Sequence, residues 1–244
     1  MSMDFYNGSA KVVSQTSSSS SSYSDGLRRY MTLVYANMFK ALLLSGGIAF
    51  LASTSGALMK AIFGTPLQYL VMFAPLVLVL VFGFKIASLR YETARNLFYG
   101  YAALMGLSLS YIFLAYTGVS IVRTFFITAA TFGAMSLYGY TTKKDLTSFG
   151  SFLIMGLIGI IIASLVNLFL KSSALSFVIS IISVIVFVGL AAYDTQKVKD
   201  MYYACDGLDM QSAKKVALMG SLTLYIDFIN LFVTLLRFFG DRRE

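Results

Sequence analysis

The 244-residue sequence contains no histidine, one cysteine (Cys205) and two prolines, and only 12% of its residues are charged. Each shortage excludes something. Without histidine there is no Ser-His-Asp triad and no His-ligated zinc or haem. One cysteine closes no intramolecular disulfide and builds no thiolate cluster. The charge content is about half the roughly 25% of an average soluble domain, too little to coat a water-facing surface. What the chain has instead is apolar: 58% of it is hydrophobic, with a mean hydropathy of +0.78. That composition belongs to an integral membrane protein, with the bilayer as its partner, and not to a soluble enzyme, a disordered chain or a fibre. The net charge of +8 is spread along the chain, so it reads as topology signalling, and no nucleic-acid partner is expected.

Residues 1–30 are polar and include the run Ser17 to Ser22, which lacks the apolar surface needed to order itself. They are expected to form a disordered cytoplasmic tail ahead of a membrane domain over residues 31–244. The tail lacks the basic-then-apolar layout of a cleavable signal sequence, so the first span is expected to stay in the mature protein. Apolar runs near 32–56, 68–89, 95–117, 119–141, 147–170, 173–196 and 215–238 follow, each close to the roughly 20 residues that carry a helix across the hydrocarbon core. The fold class is therefore all-α, with seven transmembrane helices. The tightest break, around Gly118, predicts an antiparallel hairpin of the third and fourth spans. No internal repeat is visible, and an odd helix number argues against two simple equal halves.

With the N-terminus inside, twelve Lys and Arg residues fall in cytoplasmic segments and six outside, which favours that orientation by the positive-inside rule. The basic end of the chain (Arg237, Arg242, Arg243) dissents: it either sits outside as an exception or is returned by a re-entrant last helix.

Ionisable groups at depth carry the functional information, because each costs a few kcal/mol there unless paired or hydrated. Most acids lie in tails or polar breaks. Asp227 does not: it lies about 18 Å from Lys215 and about 15 Å from Arg237 along a helix, near the bilayer centre. Gly220, Thr223, Asp227, Asn230 and Thr234 follow steps of three and four and share one helix face, a polar stripe suited to a pore or bundle interior. Interhelical hydrogen bonding explains Asn230 and Thr234 equally well; a lone carboxyl is a poor choice of glue. Asp194 ends the sixth span, with a weaker stripe of Ser176, Ser180, Ser183 and Phe187 behind it. Position alone favours a hydrated acid beside Lys197 and Lys199. Lys40 and Arg123 sit just inside their spans, where snorkelling accounts for them.

Three stretches resemble the Bax inhibitor-1 family of membrane proteins, in its bacterial YccA-like branch: Lys143-Lys144-Asp145-Leu146, Ala192-Tyr193-Asp194-Thr195-Gln196, and Leu224-Tyr225-Ile226-Asp227-Phe228-Ile229-Asn230-Leu231-Phe232. The last continues through Leu235-Leu236-Arg237, and the resemblance covers roughly residues 28–240. It implies a last helix surrounded by the other six, a bacterial inner-membrane location, and a pH-sensitive calcium leak governed by an aspartate pair. Carried over, the pair is Asp194 and Asp227, which reverses the positional reading of Asp194. A basic latch near the end of the second helix is also implied, with Arg90 the nearest candidate.

The chemistry of such a pair is sensible on its own terms. Two carboxyls in a low-dielectric site cannot both ionise cheaply. Sharing a proton closes the pair; losing it creates repulsion and a locus attractive to a transient Ca²⁺, the permeant ion rather than a cofactor. The depths disagree, however, unless the last helix extends into the cytoplasm before Met219, which places Asp227 only about 12 Å deep. The alternative function is a non-conducting regulator or substrate-like partner of a membrane-bound quality-control protease, with the tail as its handle. An intramembrane aspartyl protease is disfavoured: Tyr193-Asp194 fits the first half of the presenilin-like pattern, but Leu224-Tyr225-Ile226 precedes Asp227 where Gly-x-Gly is required. No enzymatic activity is expected.

Overall fold

The computed structural model describes the backbone of residues 5–86, 88–204 and 210–243, and within those limits the side chains from Asp25 onward. The elements are α1 (Phe5–Thr54), α2 (Gly56–Phe63), α3 (Leu67–Lys85), α4 (Tyr91–Leu109), α5 (Ile112–Ala115), α6 (Gly118–Thr141), α7 (Thr147–Leu170), α8 (Ser173–Tyr203) and α9 (Met210–Phe239). Among the described residues seven helical stretches are long and apolar enough to cross a membrane, α4 and α5 counting as one over Tyr91–Ala115. They fall where the apolar runs predict them. The backbone of α1 continues back through 5–24, part of the segment read as a polar tail; the Ser17 to Ser22 side chains lie outside the described residues.

Local chemistry sets the ends. Thr117 accepts a hydrogen bond from the Ser120 N–H at 3.3 Å and starts α6, and Ser172 does the same for the Leu175 N–H at 3.3 Å at α8. Lys171 takes a left-handed φ of 50° and ends α7, while the Asn167 side chain accepts from the Ser172 N–H at 3.0 Å. That makes α7 and α8 a tight packed hairpin.

The hairpin expected around Gly118 does not form as a packed pair. The turn is tight, but α4 packs on α1 and α3 whereas α6 packs on α8, and α9 contacts both α4 and α6. The last helix, which no short-range signal could place, has inserted between them.

The packing resolves into two groups of three spans. In one, α1 and α3 both pack on α4; in the other, α6 and α7 both pack on α8. The seventh span, α9, joins them through α1 and α4 on one side and α6 and α8 on the other. Its apolar window is 67% buried, against 6% for that of α7. The expected ring of six around the last helix is therefore corrected to four direct neighbours, because α3 and α7 lie outboard of α4 and α8. Two seams result, one between α1 and α6 and one between α3 and α7, neither closed by helix packing of its own.

Candidate functional site

Asp194 owes its position to the way the end of α8 is fixed on α6. Gly139 lets the α6 backbone lie against Ala192 of α8; a Cβ there would run into the Ala192 carbonyl. One turn on, the Thr195 hydroxyl donates to the Ala191 carbonyl at 2.7 Å and lies 3.2 Å from the Ser136 hydroxyl. Lys199 donates to the Tyr140 carbonyl at 3.0 Å. The Gln196 side chain accepts from the Leu146 N–H and donates to the Lys144 carbonyl, both at 2.8 Å. That clamp explains why Lys144-Asp145-Leu146 and Asp194-Thr195-Gln196 belong together: the second motif holds the loop made by the first. In the same loop, the hydroxyl and N–H of Thr147 hydrogen-bond to the Asp145 carboxyl and hold it below the usual carboxylate range.

Asp227 is fixed from the other side. The Ser221 hydroxyl donates to the Ala217 carbonyl at 2.7 Å and to that of Val34 in α1 at 3.0 Å, two acceptors between which its single proton is shared. The Tyr225 hydroxyl, in a fully buried side chain, meets the Ser45 hydroxyl of α1 at 2.6 Å. The Tyr225 ring is edge-on to Phe98 and Tyr101 of α4. Sequence reading missed this anchor, although a tyrosine at membrane depth needs a partner for its hydroxyl and so carried a signal.

Between these two anchors the structure brings Asp194 and Asp227 together. Both are buried, 7% and 6% exposed, and their carboxyls lie against each other. Among the described residues the buried Asp227 Oδ2 oxygen has no hydrogen-bond partner. The depth disagreement disappears because α9 begins at Met210 and α8 runs on to Tyr203, both beyond their apolar cores. Among the described residues Lys197, exposed one turn beyond Asp194, is the cation that acts on both carboxyls. Arg90 lies exposed at the N-cap position of α4, where its side chain makes no capping hydrogen bond.

The polar stripe divides at the aspartates. On one side Thr223 donates back to the Met219 carbonyl at 3.2 Å. On the other, Asn230 and Thr234 line a polar pocket of about 150 Å³ together with Ser164, Ser180 and Ser183. Asn230 and Ser180 also line a groove of about 1070 Å³ that runs along the α3–α7 seam. The carboxyls themselves open into neither cavity.

The family model for the inhibitor of apoptosis-promoting Bax1 matches residues 27–244. The chain belongs to the Bax inhibitor-1 family. Inner membrane protein YbhL of Escherichia coli (strain K12) is 51% identical over 220 residues, 89% of this chain and 94% of that protein. An uncharacterised protein of Rickettsia prowazekii is 52% identical over 229 residues, covering 94% of this chain and 96% of its own. An uncharacterised protein of Caulobacter vibrioides is 48% identical over 228 residues, covering 90% and 91%. The chain is thus an integral membrane protein of this family.

Proposed function

We propose that this protein is a pH-sensitive calcium leak, not an enzyme, in which Asp194 and Asp227 form both sensor and gate. The observation that carries the reading is the carboxyl–carboxyl contact, buried between two separately anchored helices. Two ionised carboxylates in that contact repel, whereas one shared proton turns the contact into a hydrogen bond. Asp194 moves with α6 and α8, Asp227 with α9 and its anchors on α1 and α4. Loss of the proton drives the two groups apart at α8 and α9.

The exposed acids then offer oxygen ligands to a cation, and Asn230 and Thr234 continue a hydrated lining beyond them. A resident calcium takes about 6–8 oxygens, more than two carboxyls supply, so the contact with Ca²⁺ is transient. In this reading Lys197, rather than Arg90, balances the pair. The N-terminus faces the cytoplasm, as the distribution of Lys and Arg favours. The inner-membrane name of the YbhL relative supports a bacterial inner membrane.

Calcium efflux from liposomes containing the purified protein should rise with pH, and Asp227→Asn should flatten the profile. An unchanged profile in that variant contradicts the reading. The alternative, a regulator or substrate-like partner of a membrane protease, rests on the YccA-like resemblance and on the polar N-terminal segment as a handle. If it holds, deleting residues 1–25 prolongs the protein's lifetime in cells.

A further inference from the structure

The groove along the α3–α7 seam is not explained by the aspartate pair. It is about 1070 Å³, and its lining includes Leu76 of α3 and Leu157, Ile161 and Leu165 of α7. Because α3 packs on α2 and α4 while α7 packs on α8, the groove lies at a gap between two apolar spans, with α8 and α9 forming the rest of its wall. One end is different. There Arg237 and Arg242 join the wall, and among the described residues no acid lines the groove. Among the described residues neither arginine forms an ion pair.

Arg242 is held at this place by the fold. Its segment forms a bridge with Tyr116. The Thr117 N–H donates to the Asp241 carbonyl, and the Arg243 N–H to the Ala115 carbonyl, both at 3.1 Å. The Asp241 N–H donates to the Ser120 hydroxyl at 2.8 Å. Arg123 donates to the Phe239 carbonyl at 3.0 Å and pairs with Asp241 at 3.1 Å. Asp241 is thereby paired with Arg123, and Arg237 and Arg242 both line the groove. Arg237 lies ten residues beyond Asp227, about 15 Å along the helix, which is half the thickness of the hydrocarbon core.

We infer that this groove is a binding site for one anionic phospholipid. Its phosphate lies between Arg237 and Arg242, an arrangement suited to the guanidinium fork. Ser176 and Ser180 line the same groove and are within the polar part of its wall. One acyl chain enters through the gap between α3 and α7 and lies against Leu157, Ile161 and Leu165. The fully apolar chain and the charged head match the two ends of the groove, which a free phosphate ion or a neutral lipid does not.

The test is native mass spectrometry of the full-length protein released from nanodiscs of equal phosphatidylglycerol and phosphatidylcholine. The wild type should retain one phosphatidylglycerol in preference to phosphatidylcholine. The double variant Arg237→Gln, Arg242→Gln should lose that preference by at least tenfold. Ile161→Trp, which keeps the charges and narrows the groove, should lose the bound lipid as well, and provides the answer if the double variant fails to fold. Equal retention of the two lipids by the wild type overturns the site, as does full retention in both variants. Displacement by inorganic phosphate without any lipid preference shows an anion site only and also overturns it. The readout does not involve calcium, so it stands or falls separately from the leak.

Discussion

The two seams of the bundle are built from the same kind of helix and differ in how many polar side chains line them. The α1–α6 seam holds a crevice of about 920 Å³ walled mainly by Met, Leu, Phe and Tyr side chains. Phe228 of α9 reaches it, edge-on to Phe125 and Phe132 of α6. The α3–α7 seam carries Ser, Asn and two arginines along with its apolar wall. The difference originates in α9, whose neighbouring residues Asp227, Phe228 and Asn230 point in different directions. One helix supplies an aromatic seal to one seam, a polar floor to the other, and an acid to the junction with α8. What this teaches is that the seventh span is less a passive core than the element that gives two groups of helices different faces toward each other.

The comparison can be broken most severely at Gly139. Gly139→Leu forces α6 away from α8 and disturbs both seams at once; overpacking of this kind costs about 3 kcal/mol, read as a lowered unfolding midpoint in detergent. A midpoint equal to wild type would mean that α6 and α8 do not move as one unit. Ser45→Ala acts on the other anchor alone. It leaves the buried Tyr225 hydroxyl without its partner, at a cost of about 2 kcal/mol; the same unfolding measurement should show a smaller drop, and Tyr225→Phe in that background should recover part of it.

The smallest effect is expected at Asp145, whose loop belongs to one helix group and to neither seam. Its carboxyl is held below the usual range by Thr147. The stabilisation is therefore present above the unfolded-state value and is lost as pH falls through the lower folded-state value. Asp145→Asn should lower the midpoint slightly near neutral pH, and the difference should vanish in acid. A difference that grows in acid would contradict the assignment.

Much of this architecture is legible in the sequence, for physical reasons that differ by feature. The spans are readable because hydrocarbon thickness fixes helix length, and Asp227 stands out because a carboxyl at depth is costly. Asp194 is not readable from position, since an acid near a helix end is ordinarily hydrated; only the family resemblance points to it. The level pairing of the two acids depends on how far α8 and α9 run past their apolar cores, through Tyr203 and from Met210, and hydropathy does not report a polar helical extension. The insertion of α9 between α4 and α6 is a long-range packing result with no local signal at Gly118. Lys197, one turn from Asp194, needed only the helical repeat.

The central claim is that a proton shared by Asp194 and Asp227 holds the two helix groups together. Infrared absorption of protonated carboxyl groups, followed across the pH range in which the proposed leak is expected to change, tests it most directly. The account predicts a protonated-carboxyl band that disappears as the leak rises and is absent from the variant carrying Asp194→Asn and Asp227→Asn. A band unchanged across that range, or still present in the variant, would contradict it.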